Sequence, residues 1–193
     1  MNQRFENVWD AFIQSYVDAS NEQNRGLITT YEPEWPSQCI NLSSTGRVKN
    51  EEGEDCEWCP VKYNDQPSLE NLASALEITI PADFETLMGR YYSLDLNAEH
   101  ERGPLTILQV WNEQDYERLQ KNLIAHVLMK RRLKQADTLF FALTDEDDIV
   151  ISIELDTQAV VLEPVGKPAQ EVLSDNLYDF IAALRPLPQF VSL

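Results

Sequence analysis

We predict an α+β fold for this chain of 193 residues, with one mostly antiparallel sheet packed against helices in a single domain spanning residues 1–193. Hydrophobic residues make up 43% of the sequence, so a chain of this length can bury a substantial core. Segments with helical periodicity alternate with short apolar runs. The last three apolar runs are joined by connections too short for a crossover helix, which favours antiparallel pairing.

The first third of the chain predicts one helix followed by irregular structure and two short strands. Residues 3–19 carry their apolar side chains on one helical stripe. Residues 20–36 are polar and contain two prolines, which is typical of a loop. Short apolar runs predict strands at 37–42 and around 58–63. The acidic, glycine-containing stretch around residues 43–57 is expected to be a solvated loop.

The middle of the chain predicts two short helices. Ser68 is a suitable N-cap for the first helix. Pro81 suits the first turn of the second, whose inner side is expected to continue through Tyr91 and Tyr92. The polar residues that follow, at 96–104, are expected to form a loop or turn.

The second half of the chain gives the clearest pattern. Residues 105–110 predict a strand, and Asn112 begins a capping-type sequence for a long amphipathic helix. Further strands are predicted at residues 138–143, 149–155 and 159–163. Ser174 is expected to cap a last helix, which the following prolines terminate.

The acidic excess narrows the class of partner. The chain has 33 Asp and Glu residues against 15 Lys and Arg, a formal charge of −18 at pH 7. That charge repels phosphate groups, which argues against nucleic acid and against direct binding to an anionic membrane. The N-terminal residues lack the features of a signal peptide, and no apolar run is long enough to span a bilayer. We therefore expect a cytoplasmic protein with a neutral or basic partner.

Positive charge is concentrated in one segment. Residues 117–134 contain six basic residues and one acidic residue, which leaves a charge of −23 on the rest of the chain. The cluster Lys130, Arg131, Arg132 and Lys134 falls at the end of the predicted long helix. We favour a role in complementing the helix dipole and pairing with acidic neighbours. A docking site for anionic lipid or nucleic acid is the alternative.

The sequence gives no positive sign of catalysis. It contains no G-x-S-x-G, H-E-x-x-H, P-loop or G-x-G-x-x-G pattern. His126 lies among apolar residues of the predicted long helix, which favours a packed side chain over a catalytic base. His100 lies in a polar stretch with no nucleophile motif nearby. We expect a protein that is not an enzyme and binds no cofactor; a hydrolase with paired carboxylates is a general alternative.

Three cysteines, Cys39, Cys56 and Cys59, raise the question of a metal or redox site. The last two form a C-x-x-C motif, but a zinc site needs four ligands, and only His100 or His126 could supply the fourth. A redox pair would need the motif at the start of a helix, whereas this segment has the character of a strand. Free thiols without metal are the favoured interpretation, and zinc binding is the alternative.

Several segments resemble a known family. The block PLTILQVWNEQDYERLQKNLIAHVLMKRRLK at 104–134 is similar to the signature of the Syd family of bacterial SecY-interacting proteins. The resemblance extends to WPSQC at 35–39, to LENLASALEITIPADFETLMGRYY at 69–92 and to DNLYDFIAALRPL at 175–187. It does not extend to the acidic segment at 50–57 or to the C-E-W-C motif.

The resemblance implies a fold and a function. The fold would be SUKH-like, and the protein a monomer without catalytic activity that reaches the cytoplasmic face of the inner membrane only indirectly, through SecY. It would bind the basic cytoplasmic loops of that translocon channel through an acidic groove and so regulate or monitor translocase assembly. The positive-inside rule makes those loops rich in Lys and Arg, which agrees with the acidic excess of this chain.

Carrying the family pattern over by position gives the candidate partner-binding residues. They are Trp111, Glu113, Asp115, Glu77, Asp83 and Glu85. An aromatic residue such as Trp111 or Phe84 would serve as an apolar anchor or belong to the core. The alternative function is that of a SUKH-type immunity protein that neutralises a basic toxin domain, for which the same fold and acidity would be suitable.

Overall fold

The structure is a computed structural model that describes residues 3–22, 26–40, 51–64 and 67–188. The described residues contain five α-helices: α1 (Gln3–Glu22), α2 (Glu70–Leu76), α3 (Ala82–Gly89), α4 (Glu113–Arg132) and α5 (Leu177–Ala183). Their strands are β1 (Ile28–Thr30), β2 (Asp55–Glu57), β3 (Val61–Lys62), β4 (Tyr91–Tyr92), β5 (Leu96–His100), β6 (Gly103–Ile107), β7 (Thr138–Thr144), β8 (Ile149–Glu154), β9 (Val160–Pro164), β10 (Glu171–Ser174) and β11 (Arg185–Pro186). None of the helices within these ranges has the length and apolar composition needed to cross a membrane.

The main sheet has seven strands in the order β10-β9-β8-β7-β6-β5-β11, and every neighbouring pair is antiparallel. The register of β7 shifts between Phe140 and Ala142, an irregularity of the kind that bends a strand. The sheet is curled: Arg102, in the turn between β5 and β6, reaches Glu171 on β10 with 2.8 Å between the charged atoms. The predicted α+β class with a mostly antiparallel sheet is confirmed.

Helix α1 covers one side of the core. The stripe of apolar residues that predicts this helix is buried, and Trp9 stacks on Phe12 with ring centroids 5.4 Å apart. A polar residue of α1, Asp10, also holds the helix against the rest of the fold. Asp10 accepts two hydrogen bonds from the guanidinium of Arg90, at 2.6 and 2.9 Å, and a third from the Tyr91 hydroxyl at 2.8 Å. These bonds fix α1 to Arg90, which follows α3, and to the first residue of β4.

The polar stretch at 96–104 is a hairpin, so the predicted loop is wrong. Side chains of β5 alternate between buried and partly exposed positions, and the strand pairs with β6 from Leu96 opposite Ile107 to His100 opposite Gly103. The alternation is hard to recognise in the sequence because two of the three buried positions hold Ala98 and His100 in place of large apolar residues. His100 is buried and lies over the ring of Phe180, with 5.0 Å between centroids, rather than in a polar loop.

Other short elements also differ from the predictions. Helix α3 ends before Tyr91, and both tyrosines at 91–92 are extended in β4. Residues 20–36 contain β1, which pairs with β2 inside the predicted acidic loop. Within 37–40 only Ile40 makes a strand-like bridge, to Trp58, and the rest of that predicted strand lies outside the described residues.

Further differences concern the acidic loop, the helix caps and one strand. Residues 43–50 of the acidic loop lie outside the described residues. The N-cap of α5 is Asn176 instead of Ser174. Leu69 occupies the N-cap position of α2, but the Ser68 hydroxyl accepts a hydrogen bond from the N–H of Glu70, the first helix residue, at 3.0 Å, as its predicted capping role requires. The strand β10 has no counterpart in the predictions, because its short run of mixed residues carries no clear period.

Candidate functional site

A cleft of about 420 Å³ opens beside the N-terminus of α4. Its described lining residues are Pro36, Ser37, Gln38, Tyr92, Trp111, Asn112, Glu113 and Gln114. The lining therefore combines the segment at 36–38, the first residues of the long helix and two aromatic rings. These parts come from three of the sequence segments that resemble the Syd family.

Three hydrogen bonds hold the two walls of the cleft together. The indole Nε1 of Trp111 donates to the carbonyl oxygen of Trp35 at 3.1 Å. The hydroxyl of Ser37 donates to the Trp111 carbonyl at 2.5 Å, and Nδ2 of Asn112 donates to the Pro36 carbonyl at 3.0 Å. Because each bond joins residues more than 70 positions apart, the cleft is a product of the tertiary fold.

The start of α4 is capped as its sequence predicts. Asn112 is the N-cap, and its Oδ1 accepts a hydrogen bond from the Asp115 backbone N–H at 3.0 Å. The Asp115 carboxylate accepts in return from the Trp111 N–H at 3.2 Å and pairs with Arg118 at 2.5 Å. Asp115 is buried, so its carboxylate organises the helix start more than it faces solvent.

The aromatic residues of the cleft are anchored in the core. Trp111 is buried and packs edge-on against Trp58, with ring centroids 5.9 Å apart. Tyr92, which lines the cleft, stacks on Tyr63 with ring centroids 3.7 Å apart. Phe84 is fully buried, which makes it a core residue and not an accessible anchor.

Glu113 contributes the one carboxylate among the described residues that line the cleft. It is exposed in the first turn of α4. Burial raises the pKa of the Tyr92 hydroxyl, and the negative charge of Glu113 raises that pKa further. The described lining therefore does not assemble the pair of carboxylates that a hydrolase would use.

The remaining candidate acids divide between two places. Asp83 and Glu85 are half-buried on α3, and Glu85 adds to the effect of burial in raising the pKa of Tyr116 on α4. Glu77 is exposed at the end of α2, and its charge acts instead on Arg131, near the far end of α4. Arg131 is about 27 Å from Glu113 along the helix at 1.5 Å per residue. The structure thus brings Glu113, Asp115 and Trp111 together and places Glu77 well away from them.

Asp95 is a carboxylate of this region that the sequence does not single out. Its Oδ1 accepts a hydrogen bond from the Gln109 backbone N–H at 2.7 Å. Protein atoms around the carboxylate raise its pKa, that hydrogen bond lowers it, and the nearby charge of Asp115 raises it again. Asp95 directly precedes β5, which sequence patterns assign to a loop. Its position opposite Gln109 follows only once β5 and β6 are known to form a hairpin.

The cysteines give the zinc alternative no support. Within the described ranges, no group of three or more His, Cys, Asp or Glu side chains is placed to hold a metal ion. Cys39 and Cys59 are neighbours across a strand-like bridge, where the Cys59 N–H donates to the Cys39 carbonyl at 2.9 Å. Burial raises the pKa of the Cys39 thiol to about 11, so this side chain is a protonated thiol at neutral pH.

Comparison with known families identifies the relatives of the chain. The family model described as Syd protein (SUKH-2) matches residues 6–186. The chain belongs to the Syd family. Protein Syd of Pseudoalteromonas atlantica is 41% identical over 176 residues, covering 91% of this chain and 89% of that protein. Protein Syd of Alteromonas mediterranea is 40% identical over 178 residues, covering 92% and 94%. Protein Syd of Tolumonas auensis is 42% identical over 132 residues, 68% of each chain.

The Syd family match includes every part of the cleft. Both walls and the aromatic residues between positions 36 and 114 fall within the matched range 6–186. The resemblance seen in the block at 104–134 is confirmed at the level of the family. The cleft is therefore built from the Syd-like part of the chain and not from a separate addition to it.

Proposed function

We propose that this member of the Syd family is a SecY-interacting protein without catalytic activity, which binds basic cytoplasmic loops of the channel in the cleft beside α4. Membership of the Syd family is the observation that carries the proposal. Binding would regulate or monitor the assembly of SecY and the translocase. The protein would act as a monomer at the cytoplasmic face of the inner membrane, and SecY would hold it there.

The shape and lining of the cleft suit a short extended segment of a partner. A volume of about 420 Å³ lies within the usual range for ligand sites and accepts a few side chains. The methylene stem of a Lys or Arg can contact the small parts of Tyr92 and Trp111 that line the cleft. The amides of Gln38 and Gln114 can hydrogen-bond the backbone of the bound segment.

The charge balance around the cleft favours a cationic ligand. The N-terminus of α4 carries roughly half a positive charge, and Arg118 adds one more. Three carboxylates, those of Glu113, Asp115 and Asp95, outweigh these positive charges. Glu113 is exposed at the rim, so it is the carboxylate best placed to meet an incoming ammonium or guanidinium group.

The other candidate acids have secondary parts in the proposal. Asp83 and Glu85 extend the acidic surface along α3, next to the start of α4. Glu77 would contact the partner only if the bound segment extended from the cleft along the whole length of α4. The excess of negative charge over the whole chain, −18, adds long-range attraction for basic loops.

The proposal is tested with synthetic peptides that correspond to each SecY cytoplasmic loop, titrated against the wild-type chain and Glu113→Lys. Reversing this rim charge is expected to weaken binding of the recognised loop about tenfold and to reduce its dependence on salt. Glu117→Lys is the matched control, because Glu117 is an exposed glutamate one turn further along α4 and outside the described lining.

Two outcomes would count against the cleft or against the partner. Equal weakening by Glu113→Lys and Glu117→Lys would mean that only overall charge matters and that the cleft is not the binding site. Failure of every loop peptide to bind at low salt would remove SecY as the partner. The immunity alternative would then be tested with a basic toxin domain as ligand.

A further inference from the structure

The basic cluster at the end of α4 separates into two pairs in the folded protein. Lys130 is buried, Arg131 is exposed, and each is bound to a carboxylate elsewhere in the chain. Arg132 and Lys134 are exposed, and within the described ranges no acidic residue forms an ion pair with either. Pairing with acidic neighbours therefore accounts for half of this cluster. Arg132 also complements the helix dipole from the last turn of α4, but its charge and that of Lys134 remain exposed to solvent.

Two exposed leucines lie near these two cations along the helix end. Leu128 is 44% exposed and Leu133 is 49% exposed, which is unusual for leucine in the described part of the chain. Leu128 and Arg132 are four positions apart and so share one face of the helix. The β9–β10 turn packs against the other, buried side of this helix end: the Lys167 carbonyl oxygen lies 3.5 Å from the Lys130 ammonium, and Nε2 of Gln135 donates to the Gly166 carbonyl at 3.1 Å. We call Leu128, Arg132, Leu133 and Lys134 the basic end of α4.

Unpaired cations beside exposed leucines match the chemistry of a lipid surface. Lys and Arg attract the phosphates of anionic headgroups, while leucine side chains reach the boundary of the acyl chains. A single-stranded nucleic acid would use the cations together with aromatic rings for stacking, and it would leave both leucines in water. The composition of the basic end therefore favours lipid.

The acidic excess of the chain does not cancel this local charge. At physiological ionic strength charges are screened beyond about 8 Å, so distant carboxylates act only weakly. The described carboxylates near the basic end act on other cations: Glu163 pairs with Lys130, Asp137 accepts hydrogen bonds from Nε and Nη2 of Arg131, and the charge of Glu77 also acts on Arg131. Arg132 and Lys134 thus retain their positive field.

We infer that the basic end of α4 is a contact surface for anionic lipid headgroups. The inference goes beyond the proposed function, in which the membrane is reached only through SecY. Helix α4 has 20 residues and so spans about 30 Å between the cleft and the basic end. A loop in the cleft and lipid at the other end can therefore be engaged at once, and a weak lipid contact would strengthen the attachment by raising the effective concentration.

The inference is tested by floating the full chain with vesicles in the absence of any SecY, so its result is independent of the proposed function. The chain is expected to float with phosphatidylglycerol-rich vesicles, to stay behind with pure phosphatidylcholine vesicles, and to be released by high salt. Equal flotation with both kinds of vesicle, or none with either, would overturn the inference.

Matched variants locate the contact. Arg132→Gln with Lys134→Gln is expected to weaken vesicle binding about fivefold for each cation lost. Lys121→Gln with Arg102→Gln is the control, because it removes the same charge from exposed positions outside the basic end. Leu133→Ser is expected to weaken vesicle binding without any change in charge.

The inference fails if the control pair loses as much binding as the first pair, or if Leu133→Ser floats like the wild type. It also fails if the chain binds a labelled single-stranded oligonucleotide through Arg132 and Lys134 while it ignores vesicles. Urea midpoints equal to that of the wild type would show that the exposed substitutions leave the fold intact.

Discussion

Glu163 is a carboxylate with only 1% of its surface exposed, and it is surrounded by donors. The Lys130 ammonium pairs with Oε2, while the hydroxyls of Thr138 and Ser152 each donate to Oε1 at 2.7 Å. Nε2 of His126 lies 2.9 Å from the Thr138 hydroxyl and 3.2 Å from Oε1 of Glu163. Burial by itself raises the pKa of Glu163. The hydrogen bonds from these four side chains have a larger, opposite effect, and the resulting pKa is about 2.

The pKa of Glu163 predicts an acid-sensitive contribution to stability. Its usual value is 4.5, so the folded state binds this proton more weakly than the unfolded state does. The contribution is complete above about pH 4.5 and disappears as pH falls through about 2; from the difference in pKa it amounts to about 3 kcal/mol. Urea denaturation at pH 7 and pH 3 measures it, in the wild type and in the double variant Lys130→Met/Glu163→Gln.

The double variant is the necessary comparison, because many other carboxylates also titrate in this range. With the pair replaced, the loss of unfolding free energy between pH 7 and pH 3 should be smaller than in the wild type. An identical loss in both proteins would show that the pair does not contribute in this way. Lys130→Met alone should be more destabilising than the double variant, since it leaves Glu163 buried and unpaired.

The sequence predicts part of this cluster and misses the rest for a physical reason. The apolar surroundings of His126 indicate a packed histidine, and the structure agrees. The burial of Lys130 could not be read from its neighbours, because its partner lies 33 positions away in an apolar strand. Charge patterns report composition along the chain, whereas pairing depends on which elements the fold brings into contact.

At the scale of elements, α4 and α5 begin with the same kind of cap. Oδ1 of Asn112 accepts from the Asp115 N–H at 3.0 Å, and Oδ1 of Asn176 accepts from the Asp179 N–H at 2.8 Å. The two caps differ in the other end of the amide. Nδ2 of Asn112 donates to the Pro36 carbonyl across the cleft, whereas Nδ2 of Asn176 stays within its own helix start.

This difference predicts that two equivalent substitutions have different functional effects. Asn112→Ala and Asn176→Ala should each lower the unfolding free energy by about 1 kcal/mol through the lost cap. Only Asn112→Ala should also weaken binding of a SecY loop peptide, because it releases a wall of the cleft. Thermal unfolding and peptide titration of both variants give the comparison; equal peptide affinity in the two would remove Asn112 from the organisation of the site.

The elements that the sequence predicts well are those with a long and regular pattern. Helix α4 has 20 residues with a capping sequence in front, and the strands from β7 to β9 are apolar runs with short turns. Strands such as β1 and β11 have two or three residues, and their pairing partners are distant in sequence. Their extended conformation depends on those partners. The strands are too short to show an alternation of apolar and polar residues in the sequence.

At the scale of the whole molecule, the cleft is formed by segments that the sequence identifies separately, whereas their contact with one another is visible only in the structure. The resemblance points to WPSQC at 35–39 and to the block at 104–134, and the structure joins them through Trp111 and Asn112. It also shows why candidate acids cannot be chosen by type alone. Glu113 and Glu77 are both exposed glutamates beside helices, yet they lie toward opposite ends of α4.

The charge of −18 predicts opposite effects of salt on folding and on binding. Raising sodium chloride from about 0.01 M to about 0.15 M shortens the screening length from roughly 30 Å to roughly 8 Å. Repulsion among the carboxylates then falls, so the Tm should rise by about 3 °C, as expected for a gain of about 1 kcal/mol in a chain of this size. Over the same range a basic loop peptide should bind more weakly, because its attraction to the acidic surface is screened.

Thermal unfolding and peptide titration in one salt series test this pair of effects. Near pH 4.3, where the formal charges of the sequence balance, the effect of salt on Tm should largely vanish. A Tm that falls with salt at pH 7 would show that attractive pairs such as Asp10 with Arg90 outweigh the general repulsion. If Tm rises while the peptide dissociates, the release of the peptide cannot be a consequence of unfolding. The excess negative charge then lowers the stability of the fold but increases its affinity for a basic partner.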